Sequence, residues 1–132
     1  KKHSETIRSK GIEPILFMTW PYKNKPEMQQ MLEKEFFKAS KLNNLRLIPA
    51  GQAFLYINQN FPNINLYTKD LRHPSKEGTY LAALMVFTSL SNKSPIGNTY
   101  VMDLDPNIAK ILQKAAWTTY KDFQERIVNS GL

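Results

Sequence analysis

The chain has 132 residues, a formal net charge of +7, two histidines and no cysteine. That length suits one domain around one core, and the cysteine count excludes a disulfide framework, a thiol nucleophile and a cysteine metal site. No stretch approaches the roughly 20 apolar residues of a membrane span, and the basic residues are dispersed (Lys1, Lys2, Arg8, Lys10, Lys23, Lys25, Lys34, Lys38, Lys41) with no zinc-finger or RNP motif, so the charge reads as a solvated surface and not a nucleic-acid site.

Lys2 to Lys10 is polar and suits a helix ended by Gly11, a residue fitted to a C-terminal cap. Ile15-Leu16-Phe17-Met18-Thr19-Trp20 is a short continuous apolar run, the pattern of a strand buried on both faces as in a parallel sheet. Pro21-Tyr22 closes it. A helix is expected from about Pro26 to Leu42, with Pro26 in its first turn and Met28, Met31, Leu32, Phe36 and Ala39 forming one apolar stripe. Asn43-Asn44 ends it, Leu45 to Ile48 reads as a second strand, and Pro49-Ala50-Gly51 as its closing turn. Gln52 to Asn60, with Ala53, Phe54, Tyr56 and Ile57, is expected to be helical, and Ile64 to Tyr67 extended.

Ser75 is placed to cap a helix from Lys76 to Leu90. Gly78 is costly inside a helix, which points to a close backbone approach there. That helix is apolar nearly all round, as expected of one packed on a sheet. After a loop from Ser91 to Asn98, Asp105-Pro106 opens the last helix as N-cap and first residue. Ile108, Ile111, Leu112, Ala115, Ala116, Phe123 and Ile127 line one face, and Gly131 follows its end. Strands alternating with helices argue for a parallel α/β sheet. Two or three short strands make a poor sheet, so the chain is expected to be the C-terminal part of a larger α/β domain whose other strands precede Lys1.

Asp70-Leu71-Arg72-His73-Pro74-Ser75 carries the chemistry. A neutral histidine accepts a hydroxyl proton only if one ring nitrogen is free. A carboxylate on the other N–H fixes that tautomer and stabilises the imidazolium that forms. Asp70 and His73 are near enough to meet across a turn, and Pro74 disfavours helical geometry at His73, which keeps it on a loop before the helix. A plain surface turn has the same spacing.

The block from Asp70 to Ala83 resembles the last conserved block of the SGNH (GDSL-type) hydrolases, where an Asp-x-x-His pair supplies the triad acid and base. Pro14 to Tyr22 is similar to that family's strand before a substrate-side loop, Ile48 to Phe54 to its next strand and turn, and Ser94-Pro95-Ile96-Gly97 to a segment after the histidine helix in some bacterial members. The resemblance spans roughly Glu13 to Gly97 and implies a three-layer α/β/α, flavodoxin-like parallel sheet. It implies a serine ester hydrolase acting on carboxylic esters, including acetylated carbohydrates, with Asp70 and His73 as catalytic acid and base. It also implies no cofactor and no metal, and a secreted or periplasmic setting.

The family's Gly-Asp-Ser nucleophile block and its oxyanion glycine and asparagine have no counterpart here. Of the serines, Ser75 is the nearest to His73 in sequence and is better explained as a cap. The nucleophile is therefore expected outside this chain. One oxyanion donor is worth about 3 kcal/mol, so the chain by itself is expected to be a very poor esterase. The alternative is a catalytically silent binding module that retains the fold. Trp20, Tyr22 and Arg72 are candidate substrate-binding residues, the aromatics by stacking on sugar or acyl groups. Asp103, Asp105 and Asn107 alternate like a calcium loop, but Ile108 stands where the glycine is required and Pro106 interrupts, which favours helix capping. His3, alone in a charged segment, reads as solvated.

Overall fold

Proline and glycine set the element boundaries. The computed structural model describes residues 2–130. Helix α1 (Lys2–Arg8) is followed by Gly11 at φ +72°, the left-handed position that glycine adopts at least cost. After Pro14 come strand β1 (Ile15–Phe17), helix α2 (Met28–Asn43) and strand β2 (Arg46–Ile48). Helices α3 (Ala50–Asn60), α4 (Lys76–Ser91) and α5 (Pro106–Ser130) complete the described chain. Gly131, expected just past the last helix, lies outside the described residues.

The three-layer parallel sheet expected from the alternating pattern is absent among the described residues. There are two strands of three residues each, paired parallel with Ile15 opposite Arg46, Leu16 opposite Leu47 and Phe17 opposite Ile48. The architecture is mainly helical. The apolar run does not continue as strand because its next carbonyl serves α3: the Met18 amide still donates to the Ile48 carbonyl of β2 (2.9 Å), but the Met18 carbonyl accepts from the Gly51 amide in α3 (3.0 Å). Gly51 is thus in the first turn of α3 and not in a turn closing β2. A Cβ at Gly51 would fall 2.2 Å from the Thr19 carbonyl oxygen, so glycine permits this approach.

Side-chain alternation along the strands divides the core. Ile15, Phe17 and Ile48 join the larger cluster, which is made chiefly by α3, α4 and α5 around Phe54, Ile57, Leu81, Met85, Leu112 and Ala116. Leu16 and Leu47 join Met18, Phe36, Phe37 and Phe123 on the other side. The expected α2 stripe is incomplete. Met31 is 59% exposed, and Gln29 is the buried residue of that helix. Helix α4 packs on α5 and α3 more than on the sheet, and leaves Phe87 and Leu90 exposed despite its apolar composition.

The starts of α4, which follows the Asp70 loop, and of α5 are built as their residues dictate. The Ser75 hydroxyl accepts from the Gly78 amide (3.1 Å) at the start of α4. Asp105 Oδ1 accepts from the amides of Asn107 (2.8 Å) and Ile108 (3.2 Å) at the start of α5. The Asp105 carboxylate therefore caps a helix. Trp117 and Tyr120 stack in α5 with centroids 5.7 Å apart, and the Tyr120 hydroxyl donates to Asn92 Oδ1.

Candidate active site

The loop between Leu66 and Lys76 is folded by one carboxylate. Asp70 Oδ1 accepts three hydrogen bonds, from the Thr68 hydroxyl (2.7 Å), the Arg72 amide (2.9 Å) and the His73 amide (3.0 Å). This is an aspartate closing a turn on backbone groups that follow it. Its other oxygen, Oδ2, lies 2.5 Å from His73 Nδ1. The division of labour matters. One oxygen organises the loop, and the second is committed to the ring.

The His73 ring contact, then the two amides and the Thr68 hydroxyl, hold the Asp70 carboxyl well below the usual carboxylate range. An ionised carboxylate only accepts, so Nδ1 carries the proton. Nε2 is left as the ring nitrogen free to accept one, on a side chain that is 78% exposed. The sign of the pH dependence follows. A depressed carboxyl contributes fully above its ordinary titration range, and the contribution is lost as pH falls through the lowered value. Acid therefore releases this loop only after ordinary carboxylates have protonated.

The base of the loop is fixed independently. Tyr67 and Pro74 form an antiparallel bridge. The Thr68 amide donates to the His73 carbonyl and the Ser75 amide to the Leu66 carbonyl, both at 2.9 Å. Ser75 Oγ donates to the Asn65 carbonyl (2.8 Å) while it caps α4, so this hydroxyl is fully engaged. Tyr67 is buried, which pushes its phenol pKa up. It donates to the Pro21 carbonyl (3.1 Å) and accepts from Asn58 (3.3 Å). Gly78 is the close approach expected from its place in a helix. A Cβ there would lie 2.2 Å from the Leu66 carbonyl oxygen, 3.0 Å from Pro74 Cβ and 3.1 Å from Phe54 Cζ.

All five residues singled out in the sequence come together at this loop. The Trp20 indole N–H donates to the Arg72 carbonyl (3.1 Å), and its ring stacks on Phe54 with centroids 4.1 Å apart. The Arg72 guanidinium lies over the Tyr22 ring at 4.9 Å, a cation–π geometry. The Lys23 amide donates to the Leu71 carbonyl (2.9 Å), and Lys23 Nζ donates to Asn65 Oδ1 (2.9 Å). Trp20 is thus partnered within the protein on one ring face and at its N–H, and Arg72 is held against Tyr22. Sequence reasoning missed Thr68, Asn65 and the Lys23 main chain. Thr68, two residues before an aspartate, was the one available local signal.

A groove of about 630 Å³ lies elsewhere, lined by Arg8, Arg46, Phe37 and Phe123 among others, with no residue from this loop. No helix among the described residues is long and apolar enough to cross a membrane. Comparison with protein-family models, with curated proteins and with solved structures returned no match.

Proposed function

We propose that the chain carries the acid and base of a serine ester hydrolase. His73 is the general base and Asp70 the group that orients it. The observation that carries this reading is the 2.5 Å contact between Asp70 Oδ2 and His73 Nδ1, on a carboxylate already saturated at Oδ1. That arrangement presents Nε2 to a hydroxyl. In the reaction, Nε2 takes the serine proton as the serine oxygen bonds to the ester carbonyl carbon, and returns it to the departing alkoxide. Water then repeats the sequence on the acyl-serine, with Nε2 as base for the water and as acid for the released serine. Carboxylic esters, including acetylated carbohydrates, are the substrate class, a choice that rests on the resemblance to SGNH hydrolases.

The serine is assigned to polypeptide outside these residues because the Gly-Asp-Ser block of SGNH hydrolases has no counterpart in them. Ser9, Ser40 and Ser91 each donate to a nearby backbone carbonyl, Ser94 accepts from the Ile96 amide, and Ser75 is a cap. Ser89 is buried near the far end of α4, about 20 Å from Ser75 at 1.5 Å per residue. Treating the full-length natural protein with a fluorophosphonate, which bonds to activated serines, tests the reading. Peptide mass mapping is expected to find the label on a serine outside residues 1–132, with labelling suppressed in His73→Ala. Labelling at equal rate in that variant would defeat the proposal.

A further inference from the structure

Two consecutive peptide units of the Asp70 loop are each gripped at both ends. The unit joining Leu71 to Arg72 accepts from the Lys23 amide at its carbonyl, and donates through the Arg72 N–H to Asp70 Oδ1 (both 2.9 Å). The unit joining Arg72 to His73 accepts from the Trp20 indole N–H at its carbonyl (3.1 Å), and donates through the His73 N–H to the same oxygen (3.0 Å). A peptide unit is planar and stiff, so fixing the direction of its C=O fixes the direction of its N–H. Accepting at the oxygen also polarises the N–H and strengthens the bond it donates. The Trp20–Phe17–Phe54 cluster is therefore connected, through one rigid plane, to the carboxylate and to the Cα that carries the imidazole.

We infer that Trp20 is a positioning residue for the His73–Asp70 pair, its indole N–H fixing the peptide plane on which both groups depend. This rests on the reading of His73 and Asp70 as base and acid. Trp20 is suited to the task because it has little freedom of its own. Its ring is stacked flat on the fully buried Phe54 and meets Phe17 edge-on at 6.3 Å. The loop needs such a hold. Leu71 sits at φ +63°, a region that costs a non-glycine residue energy and persists only where its surroundings enforce it. A phenyl ring in the same stack would keep an aromatic face against Phe54, but it would leave the Arg72 carbonyl without its donor.

The test is Trp20→Phe, which keeps the stacking ring and removes the N–H. It leaves Lys23, Lys69, Arg72 and Lys76, the cations on and around the loop, in place. NMR is expected to show the Asp70 carboxyl titrating higher, toward the ordinary carboxylate range, and the His73 Nδ1 proton exchanging faster with water. In the full-length natural protein, kcat for p-nitrophenyl acetate is expected to fall about fivefold, the equivalent of one neutral hydrogen bond, with KM unchanged. A variant with the wild-type Asp70 titration and His73 proton signal would overturn the inference, even if its melting temperature were lower. Should the variant fail to fold, the unmodified chain still decides. A through-hydrogen-bond coupling between the Trp20 indole nitrogen and the Arg72 carbonyl carbon is expected, and its absence overturns the inference. These readouts do not depend on catalysis. Full turnover in His73→Ala would defeat the hydrolase reading and leave the NMR result to judge Trp20.

Discussion

With His73 as the proposed general base, replacing it by alanine is expected to lower ester turnover of the natural protein by about 10³-fold, within the range of general acid–base contributions. The loss should fall mainly on kcat. In the proposed mechanism the imidazole is called on when the serine proton moves and when the alkoxide leaves, and neither event is part of ground-state binding. Folding should change little. The ring is mostly exposed, and the backbone bonds made by residue 73, its amide to Asp70 and its carbonyl from Thr68, survive the substitution. Steady-state hydrolysis of p-nitrophenyl acetate measures the first effect and far-UV circular dichroism the second. Residual activity would come from the rest of the proposed triad and its oxyanion donors, because such groups act as a unit and their losses do not add.

Gly78→Ala is expected to be the most damaging small substitution near the site. On helix propensity alone alanine would gain about 1 kcal/mol. The added methyl, however, would meet the Leu66 carbonyl oxygen at 2.2 Å, with Pro74 and Phe54 close behind. The Leu66 oxygen is backbone and accepts the Ser75 amide, so it cannot yield without loosening the start of α4 and the bridge below the Asp70 loop. Phe54 is fully buried and stacked by Trp20, so that side is closed as well. A net loss of about 3 kcal/mol is the upper part of the range for overpacking, and at this chain length it lowers the melting temperature by about 10 °C. Thermal unfolding followed by circular dichroism checks it. A variant as stable as the parent would mean that α4 stands further from Leu66 than described.

What was legible in the sequence was local. Ser75 as cap, Gly78 as close approach and Asp105-Pro106 as helix start are each decided by a few neighbouring residues, and each is found as read, whereas the first helix ends at Arg8, three residues before Gly11. The meeting of Asp70 and His73 belongs to the same class, three residues apart across a turn. The sheet was not legible in this way. An apolar run such as Ile15 to Trp20 shows that a segment is buried, but not how many strands lie beside it. Here its continuation past Phe17 is taken up by the first turn of α3. Met31 fits the helical stripe by spacing and is nevertheless exposed, because burial depends on what the stripe faces.

The surroundings of the candidate site were half legible. Trp20, Tyr22 and Arg72 were singled out, and they do converge on the Asp70 loop. The stacking of Trp20 on Phe54 and the hydrogen bond from its indole to the Arg72 carbonyl join residues far apart in the chain. No short-range pattern encodes them. The same holds for the Lys23 amide, since a backbone donor leaves no trace in the identity of its residue.

Asp70 holds His73 with its proton on Nδ1 and leaves Nε2 free to accept another. Nitrogen chemical shifts of the His73 ring in its neutral form, compared between the parent chain and Asp70→Asn, test it most directly. A protonated Nδ1 and a bare Nε2 are expected in the parent. In Asp70→Asn the side-chain amide can donate to Nδ1, and the proton should shift to Nε2. A parent ring protonated at Nε2, or a ring whose tautomer is indifferent to the substitution, would show that Asp70 does not set the state of His73.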